Sequence, residues 1–270
     1  MVIRLSEASW RSSIRFSSVA RFVRAAGIGA LAGLVAGFLV GGVGGRVAMK
    51  VVALTAGAGA QSRFTENGNR IGEFTADTIF LLLSGSLLGM VGGLLYMALR
   101  AWLPVRAPWR GLVFGAALLA TVGTATIDAH NFDFTRFGIP AVNVALFAAL
   151  FLLFGLLVAS LAERIERFSL GVPTVERMLP RIVVAHVILG GSGLFGIAVL
   201  TISSFTVLMG QEEDRSVTAL ITALMIGALA GRIAASAAPS SRRFSLLLPL
   251  IPVLIGGGLT LRSVVAILSP

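Results

Sequence analysis

The stretch "GALAGLVAGFLVGGVGGRVAMK", Gly29 to Lys50, reads as a membrane span until two cations, Arg46 and Lys50, appear on it. A bilayer's hydrocarbon core is roughly 30 Å thick and a helix rises about 1.5 Å per residue, so a span needs about 20 mostly apolar residues. Counted from Ala25, the run reaches that length at Gly45. Arg46 then falls near the far interface, with Lys50 one turn beyond. Two meanings stay open. Either the cations snorkel outward at the end of the span while the helix itself continues past the bilayer through Val47 to Ala56, or they face the bundle interior as a functional pair, being four apart on one helical face with apolar residues resuming after them.

Composition supports the membrane. Of 270 residues, 56% are hydrophobic and 13% charged, with a mean hydropathy of +0.94. That leaves too little polar surface to cover a soluble globule. The formal net charge of +10 does not point to nucleic acid, because the arginines fall between apolar runs and form no continuous basic face. With no cysteine there are no disulfides, thiolate metal sites or cysteine nucleophiles. Lys50 is the only lysine, so the last apolar run cannot carry a retinal-type Schiff base. There is also no phosphate-binding loop of the Walker type.

Seven apolar stretches meet or approach the length of a span: Ala25 to Gly45, Thr78 to Leu99, Gly111 to Ile127, Ile139 to Leu161, Ile182 to Leu208, Val217 to Ala237 and Phe244 to Ile267. The third is short. Arginines crowd the N-terminal arm (Arg4, Arg11, Arg15, Arg21, Arg24) and every second connection after it (Arg100, Arg106, Arg110; Arg164, Arg167, Arg177, Arg181; Arg242, Arg243). The intervening connections hold few arginines and most of the acids. Positive charge stays on the cytoplasmic side, so the N-terminus is expected inside and the C-terminus outside, as in a bacterial cytoplasmic membrane. The expected organisation is a basic cytoplasmic arm over 1–24 and a single seven-helix transmembrane domain over 25–268. Because the apolar run after the arm is long and continuous, it reads as a retained anchor rather than a removable signal.

Small residues organise the spans. Gly29, Gly33, Gly37, Gly41 and Gly45 recur at every fourth position, as do Gly85, Gly89 and Gly93. Lipid tails are as apolar as leucine, so helices associate in a membrane through close contact, which glycine ridges allow. Spans one and two are expected to cross on these two ridges. In the last span Pro249 and Pro252 remove backbone donors ahead of Gly256 to Gly258, which predicts a kink or break.

The candidate site lies at the exterior end of the bundle. Arg46 and Lys50 emerge there, Asp77 opens the second span, and Asp128 and His130 follow the third in "DAHNFDF". A carboxylate at the end of a helix is disfavoured by the helix dipole, so Asp128 calls for a partner such as Arg46 or His130. Arg46 is expected to meet Asp77 or Asp128. Nothing in the spacing requires a metal, a cofactor or a catalytic residue, and no known family is singled out. The sequence therefore points to an all-α, multi-pass bundle acting as a noncatalytic accessory or assembly component. Its partners are the lipid bilayer and other membrane proteins, not nucleic acid, and any small ligand is unidentified. The alternative is a small-solute or ion transporter or channel that uses the charged cluster and the broken last helix.

Overall fold

A computed structural model describes residues 7–57, 76–103, 109–123, 126–127, 134, 137–170, 188, 191–192, 194–196, 221, 223–224 and 249–269. The described elements are all helical: α1 (Glu7–Ala36), a π-helical stretch (Gly37–Gly44), α2 (Gly45–Thr55), α3 (Ala76–Leu99), α4 (Trp109–Val122), α5 (Pro140–Leu170) and α6 (Leu250–Leu268). Among the described residues, four helices are long and apolar enough to cross a membrane: Phe22–Thr55, Thr78–Leu99, Pro140–Phe168 and Leu250–Leu268. The fifth and sixth expected spans, 182–208 and 217–237, lie almost wholly outside the described residues.

As the sequence reading expects, the first helix does not stop at Gly45. It continues through α2 until Gly57, whose φ of 79° is left-handed and favours glycine. Three other features differ from that reading. The helix does not begin at Ala25, since α1 starts at Glu7. The third apolar run forms only the 14 residues of α4, about 21 Å of helix and less than a hydrocarbon core requires. The last helix is unbroken from Leu250 to Leu268. Pro249 caps it and Pro252 sits in its first turn, where the missing N–H groups have no intrahelical partner to lose.

Glycines set the packing. A Cβ built on Gly33 would lie 2.1 Å from the Gly89 carbonyl oxygen, and one on Gly29 would lie 2.6 Å from that of Gly93. No other residue fits where two backbones come this close. Because Gly29 meets Gly93 while Gly37 meets Gly85, α1 and α3 run antiparallel. In a second antiparallel crossing, Gly111 and Gly115 of α4 abut Gly155 and Phe151 of α5. The third crossing is parallel, with Gly256 of α6 against Ala120 and Thr260 against Gly123. Tyr96, Phe114, Leu95 and Val158 fill the main core between these crossings, and Leu224 is buried with them.

The π-helical stretch has a geometric consequence. In an α-helix of 3.6 residues per turn, a residue row spaced by four drifts about 40° per step around the axis. Where bonding runs i to i+5 there are about 4.4 residues per turn, so the same row drifts back by roughly 30° per step. Gly37–Gly44 therefore returns the row to α3. Gly41 remains 3.4 Å (Cβ position) from the Gly85 Cα, and Gly42 stacks on Leu82.

Candidate functional site

Polar side chains gather at both ends of the described bundle. At the Arg100 end, α3, α4 and α5 are strapped together by charge. Arg100 pairs with Glu166 at 2.5 Å and Arg110 with Glu163 at 3.4 Å, each side chain about one-quarter exposed. These pairs explain why α5 continues past Leu161 to Leu170, since the helix carries both glutamates to the arginines of the α3–α4 connection. Tyr96 lies above them, fully buried and edge-on to Phe114, with ring centroids 5.2 Å apart.

The opposite end closes differently. Where α4 stops, backbone carbonyls lose their intrahelical donors and need others. Thr260 Oγ1 of α6 donates to those of Leu119 and Ala120, while Thr121 Oγ1 bonds back to the Ala117 carbonyl within the helix. Asn143, only 2% exposed in the first turn of α5, donates through Nδ2 to the carbonyls of Phe134 (3.2 Å) and Phe137 (2.6 Å). Non-helical backbone at membrane depth survives only when protein satisfies it, and Asn143 performs that task here. Phe137 packs against Val52 and Ala53 of α2, bringing this segment to the end where Arg46 and Lys50 stand.

Arg46 occupies the second position of α2, directly after the π-helical stretch. It is half-buried, and its Nε is sealed from solvent with no hydrogen-bond partner. Lys50, one turn on, is exposed and already engaged. Depth follows from the contacts. Gly44 packs on Leu150 of α5, and about 20 Å of α5 separates Leu150 from Glu163, so Arg46 stands roughly 22 Å from the Arg110–Glu163 pair along the bundle. That distance is shorter than a hydrocarbon core of about 30 Å.

Of the other expected site residues, Asp77 is the second residue of α3, and its side chain is outside the described set. Asp128 and His130 lie outside the described residues altogether. Among the described residues, no cluster of histidine and acidic side chains could hold a metal ion. The sequence reading missed Tyr96, Asn143, Glu163 and Glu166. It read Arg100 and Arg110 only as topological signals. "AERIER" at the foot of an apolar run, opposite arginines flanking a short connection, was the signal that could have revealed the straps. No protein-family model matches the chain, and neither a curated protein nor a solved structure matches it.

Proposed function

We propose that this chain is a seven-span integral membrane protein, N-terminus in the cytoplasm and C-terminus outside, that serves as a noncatalytic accessory or assembly component of a bacterial cytoplasmic membrane. Its partners on this reading are the bilayer and other membrane proteins. The observation that carries it is the use made of the described interior. Helices meet backbone to backbone at glycines, and Thr121, Asn143 and Thr260 are buried polar side chains that hydrogen-bond to backbone carbonyls. Such a bundle is built to hold shape, and glycine-ridge packing is how apolar helices do so in lipid. The exterior end is read as a polar cluster of Arg46 and Lys50 with Asp77, Asp128 and His130 at the same level.

One feature favours the second reading, a small-solute or ion transporter. The π-helical stretch lies beside an unsatisfied arginine, and π-helical turns concentrate at functional sites. Gentle extraction from the native membrane separates the two. A stoichiometric membrane-protein partner supports the accessory role. A chain that purifies alone and carries flux in liposomes supports transport.

A further inference from the structure

We infer that the π-helical stretch Gly37–Gly44 is a torsional hinge, on which α2 turns about its own axis while the α1–α3 crossing stays fixed. The hinge adds a moving part to the bundle, whichever role the bundle plays. Along α1 the backbones lock, since a Cβ on Gly29, Gly33 or Gly37 would lie 2.6, 2.1 or 2.2 Å from the carbonyl oxygens of Gly93, Gly89 and Gly85. The lock loosens where the stretch begins. A Cβ on Gly41 would stand 3.4 Å from the Gly85 Cα, an ordinary contact. Gly42 still abuts Leu82, but beyond the stretch the nearest atom to a Cβ on Gly45 would be Leu81 Cδ2, at 3.9 Å.

Hydrogen bonding at the junction with α2 is divided. The Gly45 N–H is shared between the carbonyls of Val40, five residues back, and Gly42, three back, although Ala36 and Gly45 both have right-handed helical dihedrals. Two bonding patterns therefore compete there. Little has to repack when a turn changes pattern, because Gly37, Gly41, Gly42 and Gly44 carry no side chain and Phe38, Leu39 and Val43 are exposed.

Each residue that passes from i to i+5 to i to i+4 bonding turns everything beyond it by about 18°, the difference between about 82° and about 100° per residue. One converted turn rotates α2 by about 80°, which brings each of its residues near the present position of the next. The sequence of α2 suits both settings. Ala48, Val52 and Ala53 are now buried, and Phe137 packs on Val52 and Ala53. After the turn Val47, Val51 and Val52 take those three places, so the inward face stays apolar and Phe137 keeps apolar neighbours. Arg46 leaves its half-buried position for the exposed one that Val47 now holds. An element with two apolar settings switches between them rather than deforming continuously.

The chain has no cysteine, so introduced cysteines carry spin labels without background. Double electron–electron resonance on the full-length protein in liposomes compares two labelled pairs at exposed positions. Leu54→Cys with Val265→Cys reads α2 against α6, and Leu88→Cys with Val265→Cys reads α3 against α6. The first pair should show two distances up to about 7 Å apart, the chord that an 80° turn sweeps at a side-chain radius of about 5.5 Å. At least about one molecule in ten should occupy the minor state. The second pair should show one distance. Deleting Leu39 removes the extra residue that a wide turn carries, so α2 keeps its present facing with α-helical bonding, and the first pair should collapse to a single distance. One distance for the first pair without the deletion, or two that survive it, would overturn the hinge and leave the membrane-bundle reading intact. Two distances for the second pair would assign the motion to the whole bundle and overturn the hinge as well. If the deletion variant does not fold, the two pairs in the undeleted chain still decide.

Discussion

The two ends of the bundle treat their cations in opposite ways. Arg100 and Arg110 are neutralised within the chain by Glu166 and Glu163, and the pairs tie three helices together. Arg46 sits half-buried beside a π-helical stretch with no carboxylate among the described side chains, and its Nε, like that of Arg110, is buried without a hydrogen-bond partner. The difference teaches that arginines of similar appearance in the sequence divide by what stands opposite them. A cation paired among the described side chains fastens helices, whereas Arg46 has no such pair among them.

The comparison presumes a bundle held by glycine crossings, and breaking these should have the largest effect. At Gly89 a Cβ would lie 2.3 Å from the Gly33 carbonyl oxygen and 2.5 Å from the Gly37 Cα. Gly89→Leu should therefore force α1 and α3 apart, at about 3 kcal/mol or more, and remove most folded protein in detergent. Gly258→Leu is the control, because Gly258 of α6 faces open space. Equal melting temperatures for the two variants would count against the crossing.

A smaller effect is expected where Asn143 satisfies the segment beyond α4. Asn143→Leu leaves the carbonyls of Phe134 and Phe137 without their donor, a loss of about 2 kcal/mol. Hydrogen exchange should quicken around Phe134 to Phe137 while the α1–α3 crossing keeps its protection. Uniform quickening of both regions would show that Asn143 is not a local tie.

The ion-pair end should give the smallest change. Glu163→Gln weakens one partly exposed strap and should cost about 1 kcal/mol, an effect reduced by added salt. A loss that salt leaves unchanged would mean that packing, not charge, dominates there.

Much of this arrangement was legible in the sequence, for identifiable reasons. Apolar length revealed the long helices. Gly155 was not recognised, because its row on α5 carries one glycine and makes no visible repeat. The π-helical stretch was invisible, since glycine and apolar residues alone do not distinguish i to i+4 from i to i+5 bonding. α4 ends at Val122, short of the expected Ile127, where Gly123 follows and Thr260 Oγ1 takes up the carbonyls of Leu119 and Ala120. Pro249 and Pro252 were read as a break because composition does not say where a helix starts, and they lie at its beginning. Glu163 and Glu166 were passed over because the nearby arginines already had a sufficient topological explanation.

Charge pairing at the two ends is tested most directly by double-mutant cycles on stability, run in the same detergent for Arg110 with Glu163 and for Arg46 with each of Asp77 and Asp128. Coupling near 1 kcal/mol is expected for Arg110 with Glu163 and, in keeping with the proposed exterior cluster, for Arg46 with at least one of the two acids. Additivity within about 0.5 kcal/mol for Arg46 with both acids would contradict the exterior cluster and leave Arg46 as an interface anchor.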